Sequence, residues 1–389
     1  MGDVLAGVTV LEIAQVITGP MAGLQLAELG ADVIKVEPPG RGDSFRRWEG
    51  GEGDGVPASF AAYNRGKRSV TLDIKTEEGR DFYRRLAGRC DVVIENFRPG
   101  VMDAADLGPA VLRQRDPTLV YCSITGSGMQ GPRAQQPTYD AVAQAASGLW
   151  SQFTDLRAPE PVGPPLADQL TALYASIAIL AALERRRRTG IGSTVEVSML
   201  SACLGFQTLA LTGVLRGEPV PEPSTRARRS LTFAFLGSDG LPFCVHLSSP
   251  QKFWIALCGA LDQSALAADP RFARKADRTA AYDELRGILQ GHFSTHSRKE
   301  WLHRLEQHGV PAAPLFDLGE VVEDTQVAAI GMLDDGPDGR TLGSPITRDG
   351  ERCRAAAPPP RLGEHTGEVL AELGCSVAEI DALREGGIV

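Results

Sequence analysis

The chain has 389 residues, enough for two domains or for one large α/β domain carrying an insertion. Its 43% apolar content can fill a core, and its net charge of −9 argues against nucleic acid or an anionic membrane as the main partner. Any anionic ligand must then be met by local basic groups and backbone N–H donors.

Seven cysteines, at Cys90, Cys122, Cys203, Cys244, Cys258, Cys353 and Cys375, are scattered without CxxC pairs. That pattern predicts reduced thiols in a cytoplasmic location, with neither a disulfide framework nor a metal site. The opening "MGDVLAGVTVLEIAQ" has no basic stretch followed by a long apolar run, so no signal peptide is expected.

The first third alternates strand and helix patterns. "GVTVLEIA" (7–14) reads as a strand, "GPMAGLQLAELG" (19–30) as a helix stopped by Gly30, and "ADVIKVE" (31–37) as the next strand. "SVTLDI" (69–74) is a short extended piece before the helix "TEEGRDFYRRLAGR" (76–89). "CDVVIENF" (90–97) and "TLVYCSIT" (118–125) complete a set of buried strands. Alternating βα units predict a mainly parallel sheet with ligands at the carboxyl ends of its strands.

After Trp150 the texture changes. The Pro-rich "RAPEPVGPPLA" (157–167) leads into an apolar helix from Gln169 to about Arg188. Its run "LTALYASIAILAAL" (170–183) is shorter than the ~20 residues of a membrane span and reads as a buried core helix. "TGIGSTVEVSML" (189–200) supplies a glycine stop and a strand, and "RGEPVPEPSTRARRS" (216–230) reads as a linker. Helical "SPQKFWIALCGAL" and "RKEWLHRLEQHG" mark a second domain, and a loop-rich return over 334–361 ends in helical "LGEHTGEVLAELG".

"VYCSITGSGMQGP" (120–132) contains Gly126-x-Gly128-x-x-Gly131, the glycine pattern of a dinucleotide loop. Such a loop needs a helix opening within it, so that N–H groups meet the pyrophosphate. Here Gly131 is followed by "PRAQQPTYD", with two prolines and no apolar period. NAD binding is therefore not expected, and the glycines read as a flexible strand-end loop beside a ligand.

Asp168 stands in "PPLADQL", just before the apolar helix, at the natural N-cap. A capping and a catalytic aspartate are both open on these grounds. A helix N-terminus steadies negative charge and would keep a carboxylate ionised as a nucleophile.

Nine stretches occur in a telling order: "GVTVLEIAQVITGPMAGLQLAELGADVIKVEPPGRGD", "YNRGKRSVTLDIKTEEG", "DVVIENFRPGVM", "SITGSGMQGP", "TYDAVAQAASG", "LADQLTALYASIAILAALERRRRTGIG", "VEVSML", "HGVPAAPL" and "LGEHTGEVLAELG". Together they resemble the class III (CaiB/BaiF-type) coenzyme A transferases over nearly the whole chain. The resemblance implies an α/β fold: a large Rossmann-like parallel-sheet domain over 1–215, a smaller inserted α+β domain over 226–330, and a return segment over 331–389 that completes the large one. It also implies an interlocked homodimer. The implied activity is transfer of coenzyme A from an acyl-CoA to a free carboxylic acid, with CoA as substrate and no permanently bound cofactor. Asp168 is the implied nucleophile, forming first an aspartyl anhydride and then an aspartyl-CoA thioester.

The family's CoA contacts carry over to Val16, Ile17 and Thr18, to Leu72, Asp73, Ile74 and Lys75, to Asn96, Phe97 and Arg98, to Thr138, Tyr139 and Asp140, and to Met199. Lys75 and Arg98 are set against phosphates, and Met199 against adenine or pantetheine or as core filler in a strand. Pro38 and Ala104 stand where some relatives carry arginines, with Arg41 and Arg47 placed to compensate. Arg46 and Arg47 are candidates to clamp a second carboxylate, and Gly126 and Gly128 to donate N–H groups to an oxyanion. The run "ERRRRTG" (184–190) suits a helix C-terminus.

Two alternatives remain: an acyl-CoA racemase or epimerase on the same fold, and a non-catalytic CoA-thioester binder. Racemase members carry a His where this chain has Tyr139, and a phenol of pKa ~10 is a poor base at neutral pH. The stretch "FLGSDGLPFCVHLSSPQKF" has only two glycines where formyl-CoA-type relatives have a glycine-rich mobile loop, which speaks against formyl or oxalyl substrates.

Overall fold

Strands buried on both faces carry near-continuous apolar runs, and "TVLEI", "VVIE" and "VYCSIT" do so. The computed structural model describes residues 4–48, 56–248, 251–336 and 339–389. In it β1 (Thr9–Ile13) runs into α1 (Thr18–Glu28) and β2 (Asp32–Glu37). α2 (Ala58–Asn64) precedes β3 (Lys67–Thr71), and α3 (Glu77–Ala87) precedes β4 (Val92–Glu95). The Thr76 hydroxyl caps α3 by accepting from Gly79 N, a contact worth ~1 kcal/mol. Two short helices, α4 (Val101–Ala104) and α5 (Pro109–Arg115), lead to β5 (Val120–Thr125). α6 (Asp140–Ala146) and the long α7 (Leu166–Thr189) precede β6 (Thr194–Ser198), and α8 (Met199–Phe206) closes the series.

All six strands are parallel, in the order β3-β2-β1-β4-β5-β6. This is the doubly wound order, in which ligands bind outside the carboxyl ends where the two halves diverge, here between β1 and β4. One face of the sheet (Val10, Val33, Val92, Ile94) packs on α1 and α7 through Leu26, Ala175 and Ile179. The other face (Leu11, Ile34, Val70, Val93) packs on Tyr83 of α3 and on two C-terminal helices, Thr366–Glu372 and Val377–Glu385. Val369, Leu370, Ile380 and Leu383 of those helices belong to that core.

The described chain divides into two units. The larger holds the residues up to Trp150, Pro161–Thr212 and Gly331–Val389; the smaller holds Ser151–Glu160 and Gly213–Ile330. The smaller unit has its own antiparallel sheet, β7 (Thr232–Leu236), β8 (Pro242–His246) and β9 (Ala312–Pro314). Phe233, Phe235, Phe243, Trp254, Phe293 and Trp301 build its core.

Several local expectations change. The supposed linker contains a helix, Thr225–Ser230, and the loop-rich return forms two small hairpins, Leu333–Gly336 with Gly339–Leu342 and Thr347–Arg348 with Glu351–Arg352. "FLGSDGLPF" is a β-hairpin turn, with Leu236 opposite Pro242, while Ser249 and Pro250 lie outside the described residues. So do residues 1–3, where the leader expectation falls. α7 is 24 residues long, apolar enough to span a membrane by length and composition. It lies on the sheet instead, with Ala175 and Ile179 fully buried, but it is not buried all round: Leu173, Tyr174 and Ile177 are exposed.

Candidate active site

β1 leaves the sheet at Ile13 and β4 at Glu95, and Asn96 ties the two exits together. Its Oδ1 accepts from Gln15 N at 3.0 Å, and its Nδ2 donates to Gln15 O at 2.8 Å and to Thr18 Oγ1 at 3.0 Å. Val16–Thr18 and Asn96–Arg98 therefore meet at the point where ligands of this fold bind. Ile17 and Thr18 have buried side chains at the head of α1. Phe97 is half-buried with its N–H on Glu95 Oε2 at 2.8 Å, and Arg98 is exposed.

Beneath this loop lies a network that the sequence reading missed. Glu12, Lys35, Asp43, Glu37 and Lys67 are all at most 2% exposed. Lys35 Nζ lies 2.9 Å from Glu12 Oε1, 3.0 Å from Asp43 Oδ2 and 2.8 Å from Ala14 O. Lys67 Nζ takes Glu12 Oε2 and Pro20 O at 2.7 Å each and Asn64 Oδ1 at 2.9 Å. Arg46 closes the set by a two-pronged bond to Glu37, 2.7 Å on each prong. Three cations thus face three carboxylates, the pairing that buried charge requires. Burial pushes the Lys67 ammonium down to about 8 against the pull of Glu12.

Asp168 stands on the larger unit at the head of α7. The helix ends at the amino edge of the sheet, where Arg186 pairs with Asp91 at 2.9 Å and the Asp91 carboxylate accepts from Thr9 N. Roughly 18 residues of helix, about 27 Å, separate Arg186 from Asp168, so Asp168 stands beyond the opposite, carboxyl edge of strands ~20 Å long. It is not the N-cap. Pro165 holds that position, and Asp168 is third in the helix. Asp140 supplies the cap from α6: its Oδ1 accepts from Ala167 N at 2.8 Å and from Asp168 N at 3.2 Å. Its Oδ2 accepts from Gln144 Nε2 at 2.6 Å.

That arrangement reverses the expectation that the helix end keeps Asp168 ionised. Burial first, and the neighbouring Asp140 carboxylate second, push the Asp168 carboxyl up to about 7. Two further groups face it. Tyr63 on α2 packs against Ile17, Phe45 and Phe60, and its hydroxyl engages the Gln169 side chain within the field of Asp168. The buried Cys203 thiol on α8 lies in the field of both carboxylates and is pushed up, mainly by burial. Neither was singled out from the sequence; the aromatic in "YNRGK" was the available signal for Tyr63.

The other sequence candidates divide. Thr138 packs on Gly126 at the end of β5, and Tyr139, 70% exposed, leads into Asp140. Met199 opens α8 rather than lying in a strand, and its side chain is buried with Ala143, Leu149, Ala167 and Cys203, which makes it core. Leu72 is likewise core, and Ile74 packs on the same cluster, so these two can offer a ligand mainly backbone. Asp73 accepts from Lys75 N at 3.0 Å, and Lys75 is exposed past the carboxyl end of β3.

Two of the residues given roles are already engaged elsewhere. Arg46 is bonded to Glu37 and Pro360 O and stacked 3.6 Å over the Phe60 ring, so it is not free to clamp a carboxylate. Arg47 is exposed and bonds Arg41 O. Of the two glycines set against an oxyanion, Gly128 has its N–H on Thr125 Oγ1 at 3.1 Å. Helix α6 begins nine residues past Gly131, which removes the dinucleotide-loop reading.

A doubly wound sheet with an aspartate beyond its carboxyl edge defines an α/β protein whose ligand site lies at the strand ends. Residues 5–366 match the family described as CoA-transferase family III. The chain is 36% identical to the succinate–glutarate CoA-transferase of Agrobacterium fabrum, with 95% of each chain covered. It is 34% identical to the human succinyl-CoA:glutarate CoA-transferase, covering 95% of this chain and 86% of that one. Among solved structures, a CaiB/BaiF family protein from Brucella suis superposes with a TM-score of 0.85 at 36% identity, covering 96% of this chain and 100% of that one. The chain belongs to CoA-transferase family III and is a CoA-transferase of the acyl-CoA:carboxylate type.

Proposed function

We propose that this protein moves coenzyme A between carboxylic acids through covalent intermediates on Asp168. The observation that carries the reading is a carboxylate standing beyond the carboxyl edge of the sheet, partly desolvated and held beside a second carboxylate. Desolvation and repulsion make the free anion reactive, and both are relieved when it becomes a neutral anhydride or thioester.

Asp168 attacks the thioester carbonyl; the C–S bond breaks, CoA leaves as thiolate and a mixed anhydride forms. The thiolate attacks the Asp168 carbonyl, the anhydride C–O bond breaks, and the donor acid departs as carboxylate. An acceptor carboxylate attacks the resulting aspartyl-CoA thioester and frees the thiolate. Attack of that thiolate on the new acyl carbonyl restores Asp168 and releases the product acyl-CoA. One negative charge passes along throughout, and no net proton is taken up.

CoA lies along the strand ends from Lys75 through Val16–Thr18 and Asn96–Arg98 to Thr138–Asp140, with Met199 behind the last group. The working form is a homodimer: exposed Leu173, Tyr174 and Ile177 on α7 and Phe206 on α8 make an apolar surface that a second copy would cover. Relatives named for succinate and glutarate make short dicarboxylates the first acids to test.

Succinyl-CoA incubated with glutarate should yield glutaryl-CoA by mass spectrometry, with hydroxylamine trapping a modified peptide at Asp168 during turnover. Asp168→Asn should abolish both signals. Exchange undiminished in Asp168→Asn would overturn the reading. Deuterium entering the α-carbon without an acceptor acid would favour a racemase.

A further inference from the structure

Val16 has φ 70°, in the left-handed region that a β-branched residue strongly resists. It stands where β1 leaves the sheet, one residue before the cap of α1, and Ile17 gives that helix no side-chain cap. Something must hold the backbone there. Val16 N donates to both oxygens of Asp43, at 3.1 and 3.3 Å. Asp43 is fully buried and itself fixed on several sides. Lys35 pairs with it at 3.0 Å, Phe45 N donates to it at 3.0 Å, and its own N–H is on Glu37 Oε2 at 2.9 Å. Burial opposes its ionisation, but Lys35 and these N–H groups outweigh that and hold the carboxyl below its ordinary range. Lys35 in turn takes the carbonyl of Ala14, two residues before Val16. On the outer side Asn96 binds both backbone polar groups of Gln15. The Val16 side chain is anchored against Ile17, Phe45 and Phe60.

Strain of this kind persists only where the surroundings over-determine it, and it gathers at ligand sites. A glycine would reach the same φ without strain but would reach many others as well. We infer that Asp43 is a positioning residue for coenzyme A: with Lys35 it locks Val16 in the left-handed turn and so presets the backbone at 16–18 against the carrier. The inference rests on the CoA-transferase reading and assigns a role to residues that take no part in the covalent steps.

The test is a double-mutant cycle read by calorimetric binding of coenzyme A itself, with melting temperatures recorded alongside. Asp43→Asn in the Val16 background removes the charge that holds the turn, and affinity should fall about tenfold. In a Val16→Gly background the turn is unstrained, so adding Asp43→Asn should change affinity less than about twofold. A merely structural Asp43 would weaken binding by the same factor in both backgrounds, and that additivity would overturn the inference.

Should Asp43→Asn fail to fold, Val16→Pro fixes φ near −65° and removes the donated N–H while leaving the charges in place. The same loss is then expected, and unchanged affinity overturns the proposal. If the unmodified protein binds no coenzyme A at all, the functional reading has failed rather than this inference.

Discussion

At the scale of single residues, the environment of Asp168 sets a pH dependence. Its carboxyl titrates at 3.8 ordinarily and at about 7 in the folded protein, through burial and then Asp140. A raised carboxyl makes the folded state relatively more stable where it is protonated. That advantage is complete below about 4 and lost as pH rises through about 7. Asp168→Asn removes the buried charge and should stabilise the protein by about 2–4 kcal/mol at pH 8 and hardly at all at pH 4. Chemical denaturation at the two pH values checks this. Turnover needs the anion, so kcat/KM for acyl-CoA should climb with pH to a plateau above about 7. Asp140→Asn keeps an oxygen to cap α7 but removes the repelling charge. The acid limb should move to lower pH, as pH-rate profiles or carboxyl-carbon NMR of Asp168 would record. An unmoved limb would deny Asp140 its electrostatic part.

At the scale of elements, the end of β5 and the start of α6 are built by close approach. A Cβ on Gly126 would lie 2.3 Å from Thr138 Cβ, so no side chain fits there unless Thr138 shifts. Thr138 is two residues from Asp140, which caps the helix carrying Asp168. Gly126→Ala should therefore lower kcat/KM about 10- to 100-fold, because misplacement of about 1 Å at a site costs that much. Steady-state kinetics together with a melting curve close to wild type would separate this from unfolding. The glycine matters for the space it leaves, not for the dinucleotide pattern it imitates.

The same scale shows what the sequence made legible. β1, α1, β2 and α3 were readable because their apolar periods were clean and Gly30 and Thr76 punctuated them. The head of α7 was misplaced by three residues, because Asp168 looks like a cap while the capping side chain comes from Asp140, distant in sequence. The buried ionic network was illegible for a definable reason. Glu12 lies between Leu11 and Ile13 and Lys35 between Ile34 and Val36, which alternation reads as an outward polar face. In a sheet covered on both sides that face is also interior. The neglected signal was two opposite charges in neighbouring parallel strands, and Glu12 does fall in register with Lys35. Resemblance located the switch-point loop but could not show the strain at Val16, which is a property of coordinates.

At the scale of the whole molecule, α7 has two apolar faces and one sheet to cover. Ala172, Ala175 and Ile179 satisfy the first, while Ile177 stays 61% exposed on the second. A soluble monomer rarely leaves such a surface to water. Ile177→Asp should therefore turn a dimer into a monomer in sedimentation equilibrium while leaving the fold intact, since the residue touches no core. A wild-type protein that sediments as a monomer would remove the proposed second copy.

The two C-terminal helices that close one face of the large sheet have an implication for synthesis. The strands they cover emerge from the ribosome hundreds of residues earlier, with the whole smaller unit translated in between. Until Val369–Leu383 arrives, one side of the parallel sheet is covered only in part, by Tyr83 and Leu86 of α3 and Leu112 of α5. The apolar side chains Val369, Leu370, Ile380 and Leu383 therefore complete that cover only when the last turns of the chain have been made.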